Sequence, residues 1–192
     1  MKYRFVLNSV VLGLSALVGL SACATKSSMS INESNGRVTL AESHIGEQYD
    51  DVILRATGQF AAEPQCEARK ISLKKQRKAF NYDVCGFSPE SYQFSGAPLA
   101  EVVYHFVEKE LVRVDVRAKG EAALLNDVKA DMQSLFASST QQATELGDDS
   151  YQWSGKSLLA GVRAGAGASS GNIHVRLVDE TIAKDAPWLA AE

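Results

Sequence analysis

A nearly identical hexapeptide occurs twice in the chain, and this repeat constrains the fold more than any other feature. SYQFSG begins at Ser91 and SYQWSG begins at Ser150, so the two copies differ in one aromatic residue. Each copy precedes the same predicted series of strand, turn, strand, turn and strand, in which Val103 and Val162 occupy equal offsets. The repeat predicts an internal duplication of a helix-plus-antiparallel-meander unit, with a chance match of two hexapeptides as the alternative.

Two such units predict an α+β fold with helices on one face of an antiparallel sheet. We expect the first unit over 37–119 and the second unit, with a C-terminal tail, over 120–192. The first helix is predicted to end at Gly58, and the clearest helical stripe covers 121–137, where apolar residues recur every three or four positions. Phe94 and Trp153 stand at equivalent positions of the hexapeptides and are expected in the core.

Two cysteines flank a stretch that alternates between apolar and polar residues. When Cys66 is placed opposite Cys85, Ile71 and Phe80 fall on one face of the hairpin, as a half-buried antiparallel pair requires. The sequence therefore predicts an inserted, disulfide-bridged hairpin over 66–85. A metal site or a redox pair is the alternative, but neither a CxxC spacing nor a nearby histidine supports it.

The N-terminus has the organisation of a secretory leader. Lys2 and Arg4 precede an uncharged, mostly apolar run over 5–20, and the run leads into Leu20-Ser21-Ala22-Cys23. This ending resembles the lipobox of bacterial lipoproteins. The resemblance implies that the signal peptide, 1–22, is removed and that Cys23 carries two or three acyl chains such as palmitate, which attach a protein stably to a membrane. An ordinary transmembrane anchor with an incidental cysteine is the alternative.

The residues after the lipobox predict a location. Ala24 stands where inner-membrane lipoproteins of enterobacteria usually carry Asp, so the resemblance implies the outer membrane, facing the periplasm, with surface exposure as an alternative. The lipidated cysteine and the polar residues after it, 23–36, are expected to form a flexible tether. Without Lys2 and Arg4 the chain has 18 basic against 23 acidic residues, a net charge of −5. Such a chain is not expected to bind nucleic acid.

The stretch HIGEQYDDVILRATGQF, 44–60, carries a second resemblance. It is similar to the opening helix of the β-lactamase-inhibitory-protein type of fold and of the small lipoprotein of the outer-membrane barrel-assembly machinery. It departs from that pattern because no Met-Thr follows Gly46 and no Gly-x-Pro closes the helix. The resemblance implies tandem helix-then-meander repeats, and it carries over no functional residue.

No motif in the chain predicts catalysis. GASSG, 167–171, matches the G-x-S-x-G elbow of hydrolases around Ser169, but it lies in a run of small residues between two predicted antiparallel strands. SGKS, 154–157, ends like a Walker A motif but lacks the first glycine and a following helix. We expect no cofactor and no metal site, because the three histidines lie in separate strand-like segments without ligand spacing and are expected to be isolated from one another. These histidines are His44, His105 and His174. A metal site assembled by the fold is the alternative.

The stretch between Cys66 and Cys85 is basic in an otherwise acidic chain. A functional interpretation is a contact with anionic lipid, lipopolysaccharide or an acidic partner protein. The alternative is a hairpin whose lysines keep the edge of a sheet soluble. The candidate partner-binding residues are Lys70, Lys74, Lys75, Arg77 and Lys78.

These observations together predict binding rather than catalysis. We expect an outer-membrane lipoprotein that acts as a periplasmic binding or scaffold module in envelope assembly, with a protein partner in the envelope. An inhibitor or immunity-type protein that blocks a hydrolase is the alternative, and a small hydrolase that uses Ser169 or a histidine is favoured less.

Overall fold

The computed structural model describes residues 28–73, 79–89, 91–120, 122–136, 143–147, 149–165 and 171–190, and the statements below concern these residues. The predicted signal peptide lies outside them, as do the lipidation site and most of the basic run. The site residues that lie outside are Cys23, Lys74, Lys75, Arg77, Lys78 and Ser169.

The described chain is a mixed α+β fold that consists mostly of sheet. The strands are β1 Ser28–Met29, β2 Asn32–Ser34, β3 Arg37–Thr39, β4 Gln65–Ser72, β5 Ala79–Phe87, β6 Gln93–Phe94, β7 Ala97–Val107, β8 Glu110–Lys119, β9 Thr144–Gly147, β10 Ser150–Gly155, β11 Leu158–Ala164 and β12 Asn172–Asp179. The helices are α1 Tyr49–Phe60, α2 Ala122–Phe136, α3 Glu180–Asp185 and α4 Pro187–Ala190.

Ten strands form one sheet. Its order is β1-β6-β7-β8-β12-β11-β10-β9, with β5 paired to β7 and β4 paired to β5, while β2 and β3 form a separate hairpin. Every pair in the large sheet is antiparallel except β1 with β6. The two predicted strand series are therefore meanders, β6–β7–β8 and β10–β11–β12, and they adjoin where β8 pairs with β12.

The main core contains the apolar stripes of α1 and α2 together with alternate residues of the strands. Both stripes follow the helical period, and the stripe predicted for 121–137 is buried as expected. The helix residues are Val52, Ala56, Phe60, Leu124, Leu125, Val128, Met132 and Phe136. Phe94 and Trp153 are 0% and 2% exposed, as the repeated hexapeptide predicted.

The prediction that Gly58 ends the first helix is wrong. The helix continues to Phe60, and Ala61 adopts the left-handed conformation that terminates it. Phe60 is buried with its ring 5.2 Å from the rings of both Phe87 and Tyr92, measured between centroids. Packing of this aromatic residue outweighs the cost of a glycine inside the last turn, which is about 1 kcal/mol.

The hairpin prediction is confirmed in its register. Cys66 pairs with Cys85 and forms a disulfide with it, and Ile71 pairs with Phe80. The apolar face of the hairpin forms a second, smaller core on the opposite side of the sheet from the main core. Val107 and Val112 of the sheet and Ile182 and Ala186 of the C-terminal segment complete this second core.

The prediction of a flexible tether over 23–36 is wrong from Ser28 onward. Residues Ser28–Met29 pair with β6, and Met29 and Ile31 are both 4% exposed, because their alternating side chains enter the main core. Asn35 and Gly36 have positive φ and form the turn between β2 and β3. An Asn-Gly pair is the strongest short-range hairpin signal in a sequence, and it identifies this turn in retrospect.

Candidate functional site

A charged cleft lies on the sheet face that is opposite the main core. It has a volume of about 320 Å³ and is lined by β7, β8, β11 and β12. We call it the arginine cleft and define it by its cationic and imidazole side chains, which are Arg113, Arg117, Arg163, Arg176, His105 and His174. Its acidic residues are Asp115 and Glu101.

Strand alternation explains why charged side chains share this face. Val114 and Val116 of β8 are buried in the main core, so Arg113, Asp115 and Arg117 face the other way. The same alternation places the charged residues of β12 and β11 on that face.

The strand register then brings charges from separate strands into rows. In one row Arg117 of β8 pairs with His174 of β12, and His174 pairs with Arg163 of β11. Asp115 pairs with Arg176 in the next row.

Asp115 is the centre of the hydrogen-bond network in the cleft. Its Oδ1 accepts from Arg113 Nη2 at 2.9 Å and from Arg176 Nε at 3.1 Å. Its Oδ2 lies 2.9 Å from His105 Nε2 and also accepts from Arg113 Nε. Burial on its own raises the pKa of Asp115, but the hydrogen bonds from His105 and Arg113 outweigh it and hold the pKa well below its usual range. The carboxylate therefore stays charged and holds two guanidinium groups in place.

His105 joins this network to the disulfide-bridged hairpin. The hydroxyl of Tyr82 lies 2.6 Å from His105 Nδ1, on the other side of the ring from Asp115. Burial lowers the pKa of His105 and raises the pKa of Tyr82, so both groups are neutral. A neutral imidazole has one N–H, which donates to Asp115, and Nδ1 accordingly accepts from the Tyr82 hydroxyl. Tyr82 is only 2% exposed, so this chain of bonds positions Asp115 and does not present a reacting atom.

The cleft has an excess of positive charge. Four arginines face two carboxylates, a formal charge of +2 with neutral histidines, whereas the whole chain has a net charge of −3. Burial, then the charges of Arg117 and Arg163, lower the pKa of His174 to about 4. Its Nε2 atom is shielded from solvent and has no hydrogen-bond partner within the described part of the chain. An anion in this cleft would therefore be attracted by a positive electrostatic potential.

The residues predicted as a partner site lie elsewhere. Lys70 is on β4, where its Nζ donates to Asn81 Oδ1 at 2.8 Å, and the other four candidates lie outside the described residues. Arg69 next to it stacks over Tyr82, with its Cζ 4.9 Å from the ring centroid. The structure therefore places Lys70 on the hairpin and not in the arginine cleft.

The expectation of three isolated histidines is wrong for two of them. His105 and His174 line the same cleft, because β7 and β12 both pair with β8. His44 lies apart from them and contacts Glu47, Nδ1 to Oε1, at 2.6 Å. In the ranges given above, no group of three or more His, Cys, Asp or Glu residues is arranged to hold a metal ion.

The arginines of the cleft were not among the predicted site residues, and only those of β8 lie in a recognisable sequence pattern. The segment VRVDVR alternates valine with charge, and this pattern predicts only a strand with one solvated face. Arg163 and Arg176 join the cluster through pairing between strands, which the local pattern does not specify.

Two motifs that resemble catalytic sequences have structural roles or lie outside the described residues. Lys156 and Ser157 have positive φ and form the turn between β10 and β11, so no helix follows SGKS and the Walker A interpretation stays rejected. Of the G-x-S-x-G match, only Gly171 belongs to the described residues.

The chain has no match among models of protein families, curated proteins or solved structures. Among the described helices, none combines the length and the hydropathy that a membrane span requires.

Proposed function

We propose that this protein is a lipid-anchored, periplasm-facing protein of the bacterial outer membrane that works by binding. In this proposal the arginine cleft is its recognition site for an anionic group. The observation that carries the proposal is the convergence of four guanidinium groups in one cleft of a net acidic chain. Guanidinium groups bind carboxylates and phosphates through paired hydrogen bonds, and a local excess of positive charge attracts such groups. The lipobox sequence around Cys23 supports the anchor.

The geometry of the cleft favours binding over catalysis. Asp115 accepts hydrogen bonds from Arg113, Arg176 and His105, and both nitrogens of His105 have partners. A general base needs a free acceptor within reach of the substrate proton. Asp115 and His105 offer none, and Nε2 of His174 is shielded from solvent. These groups instead hold cations at fixed positions, as recognition of an anion requires.

We propose further that the protein acts as a scaffold component in envelope assembly and that it has a protein partner in the envelope. The basic hairpin is a second candidate contact in this proposal, through Lys70 and the basic residues that follow it. An inhibitor or immunity-type protein remains the alternative function, because an acidic surface of a hydrolase would suit the same cleft.

We also infer that the two meanders arose by duplication, with α1 and α2 as the helices of the two copies. Burial of Phe94 and Trp153 in one core supports this. The copies have diverged in register, since Val162 is in the main core while Val103, at the equal offset, lines the arginine cleft.

The test of the proposed function is capture of envelope components by the chain without its leader, 24–192, followed by crosslinking in cells. The double variant Arg117→Gln/Arg163→Gln is expected to lose the partner. The control Lys156→Gln/Lys184→Gln, which removes the same charge from positions outside the cleft and the hairpin, is expected to keep it. Substitution of Lys74, Lys75, Arg77 and Lys78 by Gln tests the hairpin separately. Capture that survives the cleft substitutions would contradict the proposed site.

A further inference from the structure

We propose that the arginine cleft binds a phosphomonoester group that is part of a larger molecule. This inference rests on the proposed function, because it names the chemical class of the ligand at that site. The ligand is either the headgroup of an envelope lipid or a soluble phosphate ester, and both present the same dianionic group.

The arrangement of donors favours a tetrahedral anion. Arg117, His174 and Arg163 stand opposite one another on three neighbouring strands. Neighbouring strands are about 4.8 Å apart, so the two arginines flank the histidine at a backbone separation of roughly 10 Å. An oxyanion above His174 would meet a guanidinium group on each side. A phosphate presents three terminal oxygens to such surroundings, whereas a carboxylate presents two oxygens in one plane.

The charge of the cleft favours a dianion. The formal charge of its lining is +2, and Asp115 is already surrounded by Arg113, Arg176 and His105. A phosphomonoester carries about −1.5 to −2 charges at neutral pH and would balance the cleft. A single carboxylate would leave it with an excess of one positive charge.

The size of the cleft indicates that the phosphate is attached to something larger. The cleft has a volume of about 320 Å³. A phosphate group occupies on the order of 70 Å³, roughly two water volumes. The remaining space lies partly beside Val103, whose side chain lines the cleft with apolar atoms, so an organic portion of the ligand fits there better than additional charge does.

The ligand class is tested with the chain 24–192 and three small probes, each titrated by calorimetry near neutral pH. Glycerol 3-phosphate is the phosphomonoester, succinate is a dianion without phosphate, and glycerate is a monocarboxylate with a similar backbone. We expect glycerol 3-phosphate to bind about tenfold more tightly than succinate and to raise the pKa of the His174 imidazole, followed by NMR. Succinate or glycerate binding as tightly as glycerol 3-phosphate would overturn the inference.

Substitutions place the binding in the cleft. Arg117→Gln and Arg163→Gln should each lower the affinity for glycerol 3-phosphate about tenfold or more, because a hydrogen bond to a charged group typically contributes that much to an affinity. Lys184→Gln removes an exposed charge outside the cleft and should leave the affinity unchanged. Equal affinity of the cleft variants and the control would overturn the assignment.

Vesicles distinguish the two sources of the phosphate. Phosphatidylcholine vesicles with phosphatidic acid present a phosphomonoester, and vesicles with phosphatidylserine present a carboxylate and a phosphodiester. Binding to the first alone, abolished in Arg163→Gln, supports a lipid ligand, and binding of the soluble ester alone supports a soluble one. If no phosphate probe binds but Arg117 and Arg163 are still needed for partner capture, the ligand class is wrong and the proposed function stands. If cleft substitutions change nothing, both fail.

Discussion

At the residue scale, Asp115 holds three cationic or imidazole groups together on the open face of the sheet. It accepts hydrogen bonds from Arg113, Arg176 and His105, and each of these residues comes from a different strand. Removal of one partner from a largely buried charge network leaves the remaining charges without compensation. The resulting loss in the free energy of unfolding is larger than the net stabilisation that the intact network provides. The charge on Asp115 is therefore expected to matter for stability as well as for the geometry of the cleft.

Asp115→Asn should lower the free energy of unfolding by about 2 kcal/mol, discounted from the value for a fully buried pair because the side chain is 23% exposed. Urea unfolding monitored by circular dichroism measures the change. Asp131→Asn, on the exposed side of α2, should change it by no more than about 0.5 kcal/mol. Similar losses in the two variants would show that the network around Asp115 contributes nothing specific.

His174 makes the stability of the fold depend on pH. Its pKa is lowered from 6.5 to about 4, chiefly by burial and then by Arg117 and Arg163. The other charged groups on this face, Asp115 and Arg176, act in opposite directions on it. Below pH 6.5 the unfolded chain takes up a proton that the folded chain does not bind. This contribution to stability is therefore complete above pH 6.5 and is lost as the pH falls towards 4.

In His174→Gln the loss of stability between pH 6.5 and 4 should be smaller than in the unmodified protein. Burial also lowers the pKa of His105, so part of the pH dependence should remain in this variant. Urea unfolding at a series of pH values provides the comparison, and the difference between the two proteins should stay constant above pH 6.5. Parallel curves down to pH 4 would contradict the assignment to His174.

At the element scale, the hairpin of β4 and β5 depends on both a covalent and an apolar contribution. The disulfide closes a loop of 19 residues in sequence separation, and the hydroxyl of Tyr49 lies 3.7 and 3.6 Å from its two sulfur atoms. Leu73 and Phe80 are buried in the second core, on the side of the hairpin that faces the C-terminal segment. The hairpin should therefore keep its register when the disulfide is reduced.

Cys66→Ser/Cys85→Ser should lower the free energy of unfolding by about 3 kcal/mol, because the unfolded chain regains the entropy of an open loop. The variant should still fold, which near-ultraviolet circular dichroism reports. Reductant should produce the same loss in the unmodified chain 24–192 and no further change in the variant. Equal urea midpoints with and without reductant in the unmodified protein would contradict the expected contribution.

At the scale of the whole molecule, two cores lie on the two faces of one sheet, and the arginine cleft lies on the face with the smaller core. The C-terminal segment crosses to that face after β12. There Ala186 is 1% exposed in the second core, and Trp188 packs edge-on against Tyr82 at 5.2 Å between ring centroids. Tyr82 in turn contacts His105. Docking of the C-terminal segment is thus expected to stabilise the hairpin and the edge of the cleft together.

Ala186→Asp should destabilise the fold by about 3 kcal/mol or more, since it places a carboxylate without a partner in an apolar cluster. Lys184→Gln, two residues earlier and 66% exposed, should cost no more than about 0.5 kcal/mol. Urea unfolding compares the two, and iodide quenching of Trp188 fluorescence reports release of the segment. A neutral effect of Ala186→Asp would mean that the segment does not cover the second core.

Prediction from the sequence is correct for the elements whose structure depends on local or covalent interactions. The register of Ile71 opposite Phe80 followed from one cysteine pair and a period of two, and the stripe of α2 followed from a period of 3.6. It failed at Met29 and Ile31, where two apolar residues in a polar segment are too short a pattern to indicate a strand. It failed also at Phe60, where tertiary packing extends a helix past a glycine.

The sequence by itself determined the types of most elements, the hairpin and its disulfide, because these depend on neighbours along the chain. Only the tertiary structure decided that β8 pairs with β12, which brings Arg117 opposite His174 and Asp115 opposite Arg176. Pairing between distant strands is selected by burial of the whole sheet face, and a shift of one residue would turn every one of these charges into the core. The arginine cleft is therefore a consequence of strand order and register, which no single segment of the sequence encodes.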